Sequence, residues 1–181
     1  MTRGEADRLF VACELPAAAL AALAGWQARC LGAKPELRIN HALHLTLAFL
    51  GDVPRARTAE VVAALETVRF AELPLAVAGV LFLPERGRRR VVALALDDRS
   101  GGLAQLQADV ARALADSGLF TPHRRAWLPH VTLARFRRPG QPFPLQNVTI
   151  PEFCAVRMVL YSSLLERTGA VHTPVAVFPA S

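Results

Sequence analysis

Several residue types are scarce in this 181-residue chain, which has three cysteines, one lysine and one tyrosine. Cys13, Cys30 and Cys154 are odd in number, widely spaced and form no C-x-x-C pattern. That argues against a disulfide framework or a zinc site and for buried free thiols in a reducing cytosol. Long apolar runs are missing too. The richest, residues 11–25, is largely alanine and is broken by Glu14 and Pro16, so no membrane span and no membrane partner are expected. Residues 1–9 carry Glu5 and Asp7 and lack an apolar h-region, so no secretory signal is expected and the anticipated compartment is the cytoplasm.

What is present is more telling. Apolar residues make up 52% of the chain, enough for a real core and too many for a disordered one. The net charge is +6, and all but one of the 21 basic residues are arginine, the exception being Lys34. Arginines gather at Arg86, Arg88, Arg89 and Arg90, at Arg124 and Arg125, and at Arg135, Arg137 and Arg138. Such clusters suit a polyanion, although a solvated face has the same composition.

Periodicity and breakers predict a strand over 8–15, then a helix with Pro16 in its first turn reaching about Leu31. An extended stretch at 37–40 precedes His44-Leu-Thr-Leu-Ala-Phe-Leu50, and Pro54 opens a helix to about Phe70. Strands follow at 75–83 and 90–97, joined by a basic turn. A helix over 102–115 stops near Ser117-Gly118. His130-Val-Thr-Leu-Ala134 then repeats the earlier pattern, and strands at 153–165 and 171–178 close the chain. Strand, helix, loop and His-x-Thr-Leu-Ala thus occur twice, over 8–48 and 90–134. The reading is an α+β fold of two similar lobes related by a pseudo-two-fold axis. Mainly antiparallel sheet, flanking helices and one central cleft form a single domain over 1–181.

Side chains alternate along a strand, so His44 and Thr46 share one face while Leu45, Leu47 and Phe49 take the core face. His130 and Thr132 do the same in the second half. A two-fold axis would bring two imidazoles and two hydroxyls to one cleft. Opening a cyclic phosphodiester needs a base for the attacking water and an acid for the leaving sugar oxygen, and histidine can serve as either near neutrality. Threonine hydroxyls can donate to the non-bridging oxygens, and an arginine can add a bidentate contact. One histidine on an apolar strand is more often structural, but two copies of one motif in matching places call for a function. A metal site lacks donors: neither motif contains Asp, Glu or Cys.

The chain resembles the 2H phosphoesterases, which carry two His-x-Thr motifs, and within them the RNA 2′,3′-cyclic phosphodiesterases, also called 2′-5′ RNA ligases. The resemblance spans nearly the whole chain. It rests on Arg8-Leu-Phe-Val-Ala-Cys-Glu-Leu-Pro16, Leu43-His-Leu-Thr-Leu-Ala-Phe-Leu-Gly51, Pro129-His-Val-Thr-Leu-Ala-Arg135, and Leu160-Tyr-Ser-Ser163 with Gly169. It implies hydrolysis of an RNA 2′,3′-cyclic phosphate end to a 2′-phosphate, with reversible 2′-5′ joining of RNA ends, and no metal or other cofactor. It further implies His44 as general acid, His130 as general base, and Thr46, Thr132 and Arg135 on the phosphate.

Two positions depart from the family pattern. Leu37 stands where a tryptophan is common, and His172 where a tyrosine is. Arg135, five residues after His130, belongs on the far face of a regular strand, so a cleft position requires a bulge or a strand end near Ala134. His41, His123 and Trp127 read as loop, turn and core residues. A relative acting on small cyclic nucleotides, and an RNA-end binding module without turnover, remain alternatives. The expected partner is RNA with a cyclic phosphate terminus, bound by a monomer.

Overall fold

Among the residues that the computed structural model describes (5–122, 126–165 and 170–181), nine extended stretches become strands and three amphipathic ones become α-helices. His123, Arg124, Arg125 and Gly169 lie outside the described residues. The first half runs β1 (Ala6–Cys13), α1 (Ala17–Leu31), β2 (Leu37–Ile39) and β3 (Leu45–Pro54). Helix α2 (Thr58–Glu66) leads to β4 (Leu73–Leu83), β5 (Arg89–Asp97), α3 (Gly102–Asp116) and β6 (His130–Gly140). Strands β7 (Phe153–Ala155), β8 (Arg157–Leu165) and β9 (Ala170–Pro179) follow.

Local chemistry explains the boundaries. Pro16 precedes α1, and its carbonyl accepts the first helical hydrogen bond from Leu20 N. One face of α1 buries Ala19, Leu23, Trp26 and Leu31, and one face of α3 buries Leu103, Leu106, Val110 and Leu114, spacings of a 3.6-residue period. Gly118, at φ +63°, turns the chain after α3 in a left-handed conformation that costs a glycine little. The helix expected from Pro54 to Phe70 is shorter. Pro54 ends β3, a 3₁₀ turn covers Arg55–Arg57, and α2 begins only at Thr58. The single strand expected over 153–165 is two strands, broken at Val156 because β7 pairs with β4 whereas β8 pairs with β1.

The strands form one hydrogen-bonded order, β7-β4-β5-β6-β3-β1-β8-β9, and every pairing is antiparallel. That order reads the same from both ends under the internal duplication, with β5 matching β1 and β6 matching β3. The halves meet where β3 and β6 share one bridge, Leu45 opposite Val131, and β2 crosses over to pair with β6. Leu45, Leu47, Val131 and Leu133 are buried in the core with Leu23, Leu94 and Leu106.

Candidate active site

The Leu45–Val131 bridge determines what lies on the other face. These two side chains are directly opposed and buried, so their neighbours point the other way. Carrying the antiparallel register one residue each way sets His44 across from Thr132 and Thr46 across from His130. The two histidines form one diagonal of this quartet and the two threonines the other. Diagonal pairs across a sheet lie about 7–8 Å apart, room for one tetrahedral phosphate between the rings.

Both motifs carry the same irregularity. In β3, Val11 and Ala12 pair with Ala48 and Thr46, which leaves Leu47 as an extra residue. In β6, Val92 and Ala93 pair with Ala134 and Thr132, which leaves Leu133 as an extra residue. Each leucine is a β-bulge that resets the alternation. Leu47 and Ala48 are consequently both buried, as are Leu133 and Ala134. The next side chains, Phe49 and Arg135, emerge on the cleft face. This is the bulge that a cleft position for Arg135 required. It also overturns the core position expected for Phe49, which is 43% exposed.

A bulge withdraws backbone groups from the ladder, and side chains meet them here. Buried Gln27 of α1 donates to the carbonyls of Leu133 and Asn40, both at 2.8 Å, and Asn40 Nδ2 donates to Thr132 O at 2.8 Å. In the other half Gln107 of α3 donates to Leu47 O at 3.3 Å, and Trp127 Nε1 donates to Thr46 O at 3.2 Å. Each half's helix thus supports the other half's bulge. Sequence reading missed both glutamines; a polar residue on an otherwise apolar helix face was the available signal.

The histidines are held alike. His44 Nδ1 lies 2.8 Å from Ala42 O and His130 Nδ1 lies 2.8 Å from Leu128 O. A carbonyl only accepts, so Nδ1 carries the hydrogen in both rings and Nε2 is left for the cleft. Burial, then the nearby charge of His172, pushes the His44 imidazole down to about 4; its hydrogen bond to Ala42 opposes this, and the charges of Arg135 and His130 add to it. Free His44 is therefore neutral at pH 7.

The cleft is a cavity of about 620 Å³ walled by His44, Thr46, Thr132, Arg135, Arg8, Arg38, Phe10, Phe49 and His172 among others. No described aspartate or glutamate contributes to the wall. Phe10 is its floor, with the His44 ring 4.9 Å away, Tyr161 stacked at 5.2 Å and His172 edge-on at 4.8 Å. The His172 ring also meets His44 edge-on at 5.3 Å, and its Nδ1 is buried without a described hydrogen-bond partner. His130 lies at the margin, half-buried and outside the wall, yet close enough for its charge to act on His44. His41 is exposed at the rim, and Leu37 is buried in β2 opposite Phe136. Arg8, Arg38, Phe10 and Phe49 were not singled out from the sequence as lining residues, because their approach depends on strand pairing distant in the chain.

Arginines of the sequence clusters divide along β6. Arg135 enters the cleft, Arg137 donates to Pro35 O, and β6 ends at Gly140 opposite Arg89 of the β4–β5 hairpin. The thiols of Cys13, Cys30 and Cys154 are free; Cys13 is buried, which pushes it up to about 12, while Cys30 and Cys154 are half-buried. No helix among the described residues is long and apolar enough to cross a membrane.

The sequence profile of the 2′-5′ RNA ligase superfamily matches residues 15–149. An Escherichia coli K12 protein named RNA 2′,3′-cyclic phosphodiesterase is 30% identical over 182 residues, covering 94% of each chain. One of the same name from Geobacillus stearothermophilus is 34% identical over 143 residues, 75% of this chain; that match spans only 45% of the relative's own length. The crystal structure of E. coli LigT complexed with 3′-AMP superposes with a TM-score of 0.81 at 26% identity, covering 98% of this chain and 99% of that one.

Proposed function

The chain belongs to the 2′-5′ RNA ligase superfamily, and on that premise we propose that it hydrolyses the 2′,3′-cyclic phosphate at the end of an RNA to a 2′-phosphate. The observation that carries this reading is the Leu45–Val131 bridge, which places His44, Thr46 and Thr132 on one cleft wall with His130 at its margin. The relatives' names supply the substrate class, and a nucleotide bound to LigT supports a nucleotide-sized cleft.

His130 Nε2 takes a proton from water as its oxygen attacks phosphorus. The bond from phosphorus to O3′ breaks, and His44 Nε2 delivers a proton to that oxygen. Thr46, Thr132 and Arg135 donate to the non-bridging oxygens, where negative charge grows in the transition state. His44 needs a proton to act, and the substrate supplies the means. Depression from 6.5 to about 4 corresponds to ~3 kcal/mol. A phosphate charge about 4 Å away is worth ~4 kcal/mol at an effective dielectric of ~20. A substrate phosphate thus offsets most or all of that depression and favours a protonated His44 in the complex. When the 5′-hydroxyl of another RNA replaces water, the same steps join two ends through a 2′-5′ linkage. In this reading the acid, the base and the hydrogen-bond donors are all side chains, and no step requires a metal. The reducing cytosol is the proposed compartment.

The deciding experiment is incubation of the protein in EDTA with an RNA ending in a 2′,3′-cyclic phosphate, followed by identification of the terminal isomer. A 2′-phosphate is expected. A 3′-phosphate, or binding of the RNA end with no product, would overturn the reading.

A further inference from the structure

Arg38 and Arg135 are direct partners across β2 and β6, so two guanidinium side chains leave adjacent strands on the same face, into the same cleft. Like charges placed directly opposite destabilise a sheet. Elsewhere in the molecule Arg55, Arg57, Arg99, Arg112 and Arg157 each have a carboxylate within salt-bridge distance. Among the described residues, Arg38 and Arg135, like the arginines of the β4–β5 turn and the others of β6, have none, and these two differ from those in sharing the cleft wall. Burial, reinforced by the charge of Arg38, also makes the Arg135 cation less favourable than in water. If one phosphate is held by Thr46, Thr132 and Arg135, the exposed Arg38 on the same cleft wall is left with no assigned partner.

We propose that Arg38 binds a second phosphate of the RNA, the phosphodiester on the 5′ side of the terminal nucleotide, and so selects an oligonucleotide over a mononucleotide. This rests on reading the cleft as an RNA-end site. Arg38 lies on a three-residue strand, between Leu37, which is buried against the core, and half-buried Ile39. The backbone sets its direction while its own side chain stays exposed. Arg38 is therefore a specificity residue that does not touch the reacting phosphorus.

The test is a binding cycle that needs no turnover. Its probes are a dinucleotide 2′-phosphate with an ordinary phosphodiester, the same compound with an uncharged methylphosphonate linkage, and a nucleoside 2′-monophosphate. The wild type should bind the ordinary dinucleotide about tenfold or more tightly than the methylphosphonate. Arg38→Ala should distinguish the two dinucleotides far less, Arg38→Lys should recover part of the difference, and Arg38→Ala should lower the salt slope for the ordinary dinucleotide by about one. Relief of the repulsion should leave the melting temperature of Arg38→Ala equal to or above that of the wild type, so a folding defect cannot mimic the result. If Arg38→Ala weakens all three ligands equally, or if the wild type ignores the linkage charge, the second-phosphate site is refuted even where cyclic-phosphate hydrolysis is observed. If no cyclic phosphate is hydrolysed, the proposed reaction falls, and the binding cycle still decides the fate of Arg38.

Discussion

Leu47 and Leu133 occupy the same place in the two halves, each the unpaired residue of a β-bulge, and each turns the residue two positions later toward the cleft. One half thereby contributes Phe49 and the other Arg135. Duplicated backbone geometry carries two different side chains, an aromatic ring with Arg8 over it and a cation on the cleft wall.

The bulges depend on side chains that cap their carbonyls. Gln27→Leu removes both donors to Leu133 O and Asn40 O in a buried setting, so a loss of about 1–3 kcal/mol is expected in urea unfolding. Gln107→Leu should cost less, because its bond to Leu47 O is longer and only partly buried. Equal effects would mean that the two bulges are not held as described.

Ligand binding should take up a proton. His44 is neutral at pH 7 when free, and an anion beside it raises its affinity for hydrogen. Calorimetry of a nucleotide phosphate at pH 6.5–7 in buffers of different ionisation enthalpy should show net uptake, which His44→Ala reduces. Binding that releases protons, or uptake unchanged in the variant, would rule out this protonation route.

Stability should depend on pH through the same ring. The His44 pKa is lowered on folding, so the unfolded chain binds more protons between about 4 and 6.5. Its contribution is complete above 6.5 and is lost as pH falls toward 4, by up to ~3 kcal/mol. His172, also lowered by burial, acts in the same direction. Unfolding curves across this range should be flatter for His44→Gln than for the wild type.

The division of work between the histidines can be read from the leaving group. An alkoxide leaves poorly without an acid, so His44→Ala should lose ~10²–10⁴-fold in rate on the normal substrate. A 3′-bridging sulfur leaves as a thiolate, since a thiol is far more acidic than an alcohol. That analogue should restore His44→Ala and leave His130→Ala impaired. Rescue of His130→Ala instead would reverse the two roles.

The sequence alone determined the order of helices and strands, the duplication, and the pairing of each histidine with a threonine on one face, because alternation and breaker residues are local properties. It also raised the need for a bulge at Arg135, since an odd offset conflicts with a cleft position. The bulge at Leu47 and the exposure of Phe49 were not legible, because a strand's phase changes only where it carries a residue its partner lacks. Nor was the break between β7 and β8, because it follows from which strand each pairs with. Gln27 with Leu133, Arg38 with Arg135, and His172 with His44 are contacts between segments far apart in the chain. No local rule links them. Only strand register across the Leu45–Val131 junction brought them together, and with it the low pKa of His44, which depends on what buries the ring rather than on its neighbours in sequence.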